Sequence, residues 1–224
     1  MKTEIIKGAY RKLVPAYIRQ SAAVEKMKRL LPHNAIYDAG YYSEHVEGPA
    51  AASAGIIATS IIVEFKPSSV IDIGCGTGAM LAALRDCGCD VVGLEYSKAG
   101  LAYCRARNLN VIKFDLEKDV FVGSRTFDVA ISMEVAEHLP ESVAGRYVAL
   151  LSQVARVVVL TAAHPGQRGN DHVNLQPRSY WVSMFQRQGF TLDEDTTERW
   201  RSRWQADGVA RFYCENLMLF RKQS

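Results

Sequence analysis

The stretch Val70-Ile-Asp-Ile-Gly-Cys-Gly-Thr-Gly78 constrains this chain more than any other segment. A short apolar run ends in three alternate glycines, and Ala79 to Arg85 then reads as a helix that Gly88 stops. That is a buried strand, a tight turn and a helix whose first N–H groups point back at the turn. Glycine lets the backbone bend sharply and approach a ligand closely, and the free N–H groups invite one. The spacing is GxGxG, not the GxGxxG of dinucleotide binders, and Asp72 stands two positions before the first glycine. A carboxylate there repels a pyrophosphate but suits a ligand bearing an ammonium group.

The same strand-then-helix unit repeats along the chain. Ala50 to Glu64 predicts a helix stopped by Pro67, Val91 to Leu94 a strand, and Ser97 the cap of a helix through Arg107. Val111 to Phe114 and Phe127 to Ser132 predict two more strands. Val143, Tyr147, Leu150, Leu151 and Val154 have the spacing of a helix facing a core. Val157 to Leu160 suits a central parallel strand, and Pro177 opens a helix that Gly189 ends. Phe190 to Leu192 and a long run, Phe212 to Phe220, read as the last strands. Repeated βα units imply a doubly wound α/β sheet, with ligands at the carboxyl ends of the strands. Residues 1–49 read as a basic N-terminal helical extension and 50–224 as the main domain.

Composition narrows the classes further. The 224 residues are 48% hydrophobic and 23% charged, which fits a globular domain. No uncharged apolar run approaches the roughly 18 to 20 residues of a membrane span, and no signal-peptide pattern opens the chain. Five cysteines without a CxxC pair read as reduced thiols, hence a cytoplasmic expectation. The net charge of +3 hides an asymmetry: residues 1–31 hold eight Lys or Arg against Glu4 and Glu25. Tyr10, Leu13, Val14, Tyr17 and Ile18 could pack that arm on the domain. The other reading is contact with anionic lipid or an acidic partner.

With these motifs in place, the chain resembles the class I S-adenosylmethionine-dependent methyltransferases over roughly residues 50 to 220. VIDIGCGTG looks like that family's first motif, GLEYS at 93–97 its acidic second, and FDL at 114–116 its third; FDVAISMEVAEHL at 127–139 looks like its fourth strand and the adjoining segment. The resemblance implies a Rossmann-like seven-stranded sheet and S-adenosyl-L-methionine as cofactor. Gly74, Gly76 and Gly78, with Cys75 and Asp72, would then surround the methionine moiety. Glu95, followed by Tyr96, would meet the ribose. Asp115 and Leu116 would meet the adenine, and Met133 the cofactor's amino group through its backbone. For Asp115 a helix-capping role is the bland alternative. Tyr41 and Tyr42 either fold over the cofactor as a lid or merely anchor the N-terminal segment.

Methyl transfer to a hydroxyl needs a base. His172, in the polar loop 164–177 beside Asp171, is the leading candidate, and His164 the reserve; a histidine bonded to loop backbone is the bland reading. Glu134, Glu137 and His138 place three metal-capable groups within about one helical turn. This segment is similar to the ExxEH of metal-dependent small-RNA 2′-O-methyltransferases, where a later histidine completes the site. It could hold Mg²⁺ or Mn²⁺, yet it also follows the fourth strand in members without metal, so no ligand is assigned. Trp181, Trp200 and Trp204 with Arg199, Arg201 and Arg203 suit sugar rings or simply cover core edges. The favoured reading is an O-methyltransferase acting on a small hydroxylated acceptor, a sugar or a natural-product alcohol, with nucleic acid disfavoured and self-association left open. An RNA 2′-O-methyltransferase and a non-catalytic cofactor-binding module are the alternatives.

Overall fold

The protein is described from a computed structural model covering residues 37–123, 125–169 and 171–223. The basic arm of residues 1–31, and the membrane or partner contact expected of it, lie outside the described residues.

The first helix, α1 (Ala39–Phe65), begins well before the expected Ala50. Asp38 caps it by accepting the Tyr41 N–H at 2.9 Å. Pro49 has no N–H for the helical ladder, and just before it the ladder widens into a π-helical turn at Tyr42–Val46. Gly48-Pro49 reads as a break in sequence; in three dimensions the π turn absorbs it. The domain division expected at residue 50 therefore falls inside one continuous helix. α1 is long and apolar enough to cross a membrane by composition alone. Its Ile57, Ala58 and Ile61 are instead fully buried against the sheet.

The remaining elements are β1 (Ser69–Ile73), α2 (Ala79–Asp86), β2 (Asp90–Glu95), α3 (Lys98–Ala106), β3 (Val111–Lys113), β4 (Phe127–Met133), α4 (Glu141–Val154) and β5 (Ala155–Thr161). They are followed by α5 (Arg178–Arg187), β6 (Phe190–Leu192), α6 (Glu194–Ala206), α7 (Arg211–Asn216) and β7 (Leu217–Lys222). Seven strands form one sheet in the order β3-β2-β1-β4-β5-β7-β6. The first five are mutually parallel, and β7 runs antiparallel to both β5 and β6. Strand order reverses between β1 and β4, which opens a crevice at their carboxyl ends.

One expectation fails at the C-terminus, and one alternative is decided. Phe212 to Phe220 is not one strand: its first half is α7, and only the second half pairs in the sheet. Of the two readings of the Trp-Arg cluster, the core-covering one holds: Trp181 lies on α5, and Trp200, Trp204 and the three arginines lie on helix α6. Asp193 caps that helix through the Thr196 N–H, and Thr197, Trp200 and Trp204 form its buried stripe. Trp181, Trp200 and Trp204 are all at most 3% exposed. Arg199 pairs with Glu64, Arg201 with Glu198 and Arg203 with Asp207.

The Trp204 indole N–H donates to Ser60 Oγ at 2.9 Å, which fastens α6 to α1 across one face of the sheet. Trp204→Ala should lower unfolding stability by about 3–5 kcal/mol through cavity formation, and Ser60→Ala by about 1 kcal/mol through the lost bond. Urea titrations measure both. A loss for Trp204→Ala no larger than that of Ser60→Ala would show that the indole is not a packing anchor.

Candidate active site

The crevice holds a cavity of ≈ 410 Å³, within the range of small-molecule sites. Its first wall is the β1–α2 turn. Gly74 and Gly76 line it with φ of 80° and 55°, a conformation that side chains resist. A side chain at Gly74 would also strike Val135, its Cβ lying 2.6 Å from that residue's Cγ2. Gly78, Cys75 and Asp72 sit in the same motif but do not line the cavity. Gly78 is small because Leu109 and Cys104 press against it, and Cys75 Sγ lies 3.9 Å from Cys104 Sγ. Asp72 is buried behind the turn, where desolvation and then the nearby Glu95 push its carboxyl well up.

Glu95, at the end of β2, organises this wall. Its carboxylate accepts the Gly76 N–H at 2.9 Å, the Ser97 N–H at 2.6 Å and the Tyr42 hydroxyl at 3.4 Å. Burial raises its pKa, and the two amides partly offset that. Tyr96, Leu116 and Met133 line the same cavity. Asp115 does so too while capping a turn: it accepts the Glu117 N–H at 3.0 Å and pairs with Lys118 at 3.2 Å. The cavity-lining and capping roles of Asp115 thus coincide.

The N-terminal end of α1 closes the front. Tyr41 and Tyr42 both line the cavity, joined by Tyr37, which no sequence motif singles out. Burial, followed by the charges of Glu137, Asp171 and Glu134, pushes the Tyr41 phenol up to about 12. Its ring centroid lies 5.0 Å from that of Tyr37. Phe212 and Tyr213 of α7 also line the cavity, although the sequence pattern there suggests a strand.

The far end is built from β4 and the loop after β5. Glu134 follows β4 at a φ of 54°, a strained conformation for a non-glycine residue. Its carboxylate accepts both bonds from the Asn216 amide nitrogen, at 2.9 and 3.0 Å. A short 3₁₀ turn, Ala136–His138, comes next. The Val173 and Asn174 N–H groups both donate to the Glu137 carbonyl, at 2.8 and 3.0 Å. That pairing brings His172 beside Glu137 and His138, with the two imidazole centroids 5.1 Å apart.

Gly169 makes the approach possible, since a Cβ there would lie 2.0 Å from His172 Nε2. Asp171 was expected to orient His172; its carbonyl lies 3.1 Å from His138 Nδ1, and its carboxylate accepts the Tyr37 hydroxyl at 2.9 Å. His164 does not line this cavity. It is exposed and faces a separate pocket of ≈ 200 Å³ beside Arg178 and Asn216.

Comparison with known proteins bears on the family and the fold. A family model described as a methyltransferase domain matches residues 51–195. The ubiquinone biosynthesis O-methyltransferase of Aliivibrio fischeri (strain MJ11) is 32% identical over 78 residues, which are 32% of this chain and 33% of that protein. The same-named protein of Stutzerimonas stutzeri (strain A1501) is 28% identical over 127 residues, 53% of this chain and 50% of its own length. The chain thus spans between about a third and a half of these curated relatives.

Among solved structures, DesVI of Streptomyces venezuelae aligns with a TM-score of 0.62 at 18% identity, covering 86% of this chain and 99% of that one. S-adenosylmethionine-bound CalS10 of Micromonospora echinaspora, an amino pentose methyltransferase, aligns with a TM-score of 0.61 at 17% identity, covering 84% and 97%. These structural likenesses speak for the fold.

Gly76→Val should abolish binding of S-adenosylhomocysteine, because the φ of 55° disfavours valine and its side chain would point at Tyr42 and Val46. Glu95→Gln, close in size, should weaken binding about 10- to 100-fold by removing charge-assisted hydrogen bonds. Titration calorimetry reads both, with circular dichroism as the folding control. Wild-type affinity in either variant would displace the cofactor site from this wall.

Proposed function

Because this chain belongs to the methyltransferase-domain family and is an S-adenosylmethionine-dependent methyltransferase, we propose that it methylates a hydroxyl oxygen of a small acceptor, a sugar or a natural-product alcohol. The observation that carries this reading is the convergence of His172, His138 and Glu137 on one end of the cavity, away from the Gly76–Glu95 wall. The curated relatives are named for O-methylation, and an amino pentose methyltransferase shares the fold. The first supports an oxygen acceptor; the second shares the fold alone. The tryptophan cluster no longer supports the acceptor class, since its rings are core.

The chemistry follows from the arrangement. The acceptor oxygen attacks the methyl carbon of the sulfonium in line with the departing sulfur. A C–O bond forms as the C–S bond breaks, and S-adenosylhomocysteine leaves. The protein's contribution is largely alignment. In this reading the hydroxyl proton passes to the His172 imidazole and then to solvent. Tyr37, Tyr41 and Tyr42 cover the front and limit water at the reacting centre.

One observation favours a second acceptor. Glu134, Glu137, His138 and His172 all line the cavity, the residue types of the small-RNA 2′-O-methyltransferase segment. An RNA terminus would then supply the hydroxyl. Salt-dependent retention of RNA would mark that case, and no retention at low salt would dismiss it.

A panel of hydroxylated acceptors, read by S-adenosylhomocysteine release, tests the leading proposal. His172→Ala should lower kcat about 10²- to 10⁴-fold while cofactor affinity holds. His164→Ala should leave kcat within about twofold, as expected of a side chain outside the cavity. Unchanged turnover in His172→Ala would remove that histidine from the reaction. Methylation confined to amine acceptors would refute the oxygen assignment.

A further inference from the structure

We propose that the smaller pocket of ≈ 200 Å³ is a second binding site, for a hydrogen phosphate group that is either free or part of a monoester. None of the residues that line it lines the larger cavity. Its walls come from the first turn of α5, from α6 and from the α7–β7 junction, with His164 at the exposed edge. The volume lies below the usual range of small-molecule sites, so the occupant is small.

Two deeply buried side chains in the wall carry polar atoms that have no hydrogen-bond partner among the described residues. Trp181 is 1% exposed and its indole N–H has no acceptor; Asn216 is 4% exposed and its Oδ1 has no donor. Buried groups of both kinds are normally paired. The identity of the Asn216 oxygen is fixed from its other side. Nδ2 donates to both Glu134 carboxylate oxygens, at 2.9 and 3.0 Å, so Oδ1 is the atom left for the pocket.

The arginines of the pocket add donors. Arg178 gives its terminal nitrogens to Glu194 at 3.0 and 2.9 Å, and Arg201 gives its own to Glu198 and the Leu217 carbonyl at 2.6 and 2.7 Å. The Nε–H of each is buried and has no partner among the described residues. Glu215, the acidic member of the lining, pairs with Arg211 at 2.6 Å. Arg178 and Trp181 stand one turn apart at the start of α5, where Pro177 supplies no side-chain cap. The positive end of that helix therefore adds to the same wall.

The unpaired set is three N–H donors and one oxygen acceptor. A hydrogen phosphate matches it on one compact centre. Its unprotonated oxygens accept from Trp181, Arg178 and Arg201, and its P–O–H donates to Asn216 Oδ1. Sulfate and simple carboxylates offer the acceptors without the donor. A hydroxy acid carries both, but over a longer frame.

The indole N–H resonances of the isotope-labelled full-length protein read this site directly. Three tryptophans give three signals, and Trp181→Phe identifies one of them. Inorganic phosphate, methyl phosphate, sulfate and glycolate are titrated in turn at constant ionic strength, followed by these resonances and by calorimetry. Phosphate should move the Trp181 signal saturably in the millimolar range or below, while that of Trp204, already bonded to Ser60, stays in place. Sulfate should bind at least about tenfold more weakly for want of the donor. Trp181→Phe and Arg201→Lys should each weaken phosphate at least about tenfold, with S-adenosylhomocysteine binding retained as the folding control.

Tighter binding of methyl phosphate supports the site and assigns it to a monoester; tighter binding of inorganic phosphate supports it and assigns the free ion. A Trp181 signal that phosphate leaves unmoved would overturn the site and give the N–H to an ordered water. Sulfate bound as tightly as phosphate, or glycolate bound more tightly, would overturn the phosphate assignment. Phosphate affinity unchanged in both variants would place the ion elsewhere. These readouts need no methyl acceptor, so they stand or fall apart from the reading of the larger cavity.

Discussion

The Glu95 carboxylate is the interaction on which the rest of the cavity depends. It gathers the amide of Gly76 from the first turn, the amide of Ser97 from the start of α3 and the phenol of Tyr42 from α1. Three pieces of chain far apart in sequence are thereby held around one buried negative charge. The glycine turn can accept this because its residues adopt positive φ without a side-chain penalty. The Ser97 hydroxyl also donates to the Tyr42 phenol oxygen at 3.0 Å, which ties the π turn of α1 to the same corner.

A second, separately built structure occupies the opposite end. There the loop after β5 bonds through two backbone amides to the Glu137 carbonyl, and Tyr37 fastens the same loop to the chain before α1. Positive φ at Glu134 and Asp171 shows that backbone comfort is given up at this end. Non-glycine residues hold such conformations only where surrounding contacts over-determine them, and those positions concentrate at functional sites. The two ends share the aromatic cover of Tyr37, Tyr41 and Tyr42. One rim of the crevice thus joins the glycine turn to the corner where His172, His138 and Glu137 converge.

Legibility in the sequence followed the range of the interaction. The 70–78 turn, Glu95, Asp115 and the parallel strands could be read because each depends on residues a few positions apart. Helix α6 was missed although its signal was present: a capping aspartate at 193, then Thr197, Trp200 and Trp204 at helical spacing. Interleaved arginines drew attention to a surface that the fold turns inward. The start of α1 was obscured because Gly48-Pro49 reads as a helix break, and the π turn that absorbs it stands beside a tertiary contact of Tyr42. Tyr37, Phe212, Tyr213 and the Asn216–Glu134 pair had no local pattern to announce them. Tyr37 bonds to Asp171 and Asn216 to Glu134 across long stretches of chain.

The amino-acid sequence by itself determined the sheet class, the glycine turn and the acidic strand ends, because periodicity and turn chemistry act over a few residues. Tertiary structure decided which members of those motifs face the ligand, sending Gly74 and Gly76 to the cavity and Gly78 to packing. It also placed His172 rather than His164 in this cavity, beside Glu137 and His138. That placement rests on backbone hydrogen bonds between a loop and a turn some thirty-five residues apart. Such pairing is dictated by where the strands deliver their ends, and no local pattern of side chains encodes it.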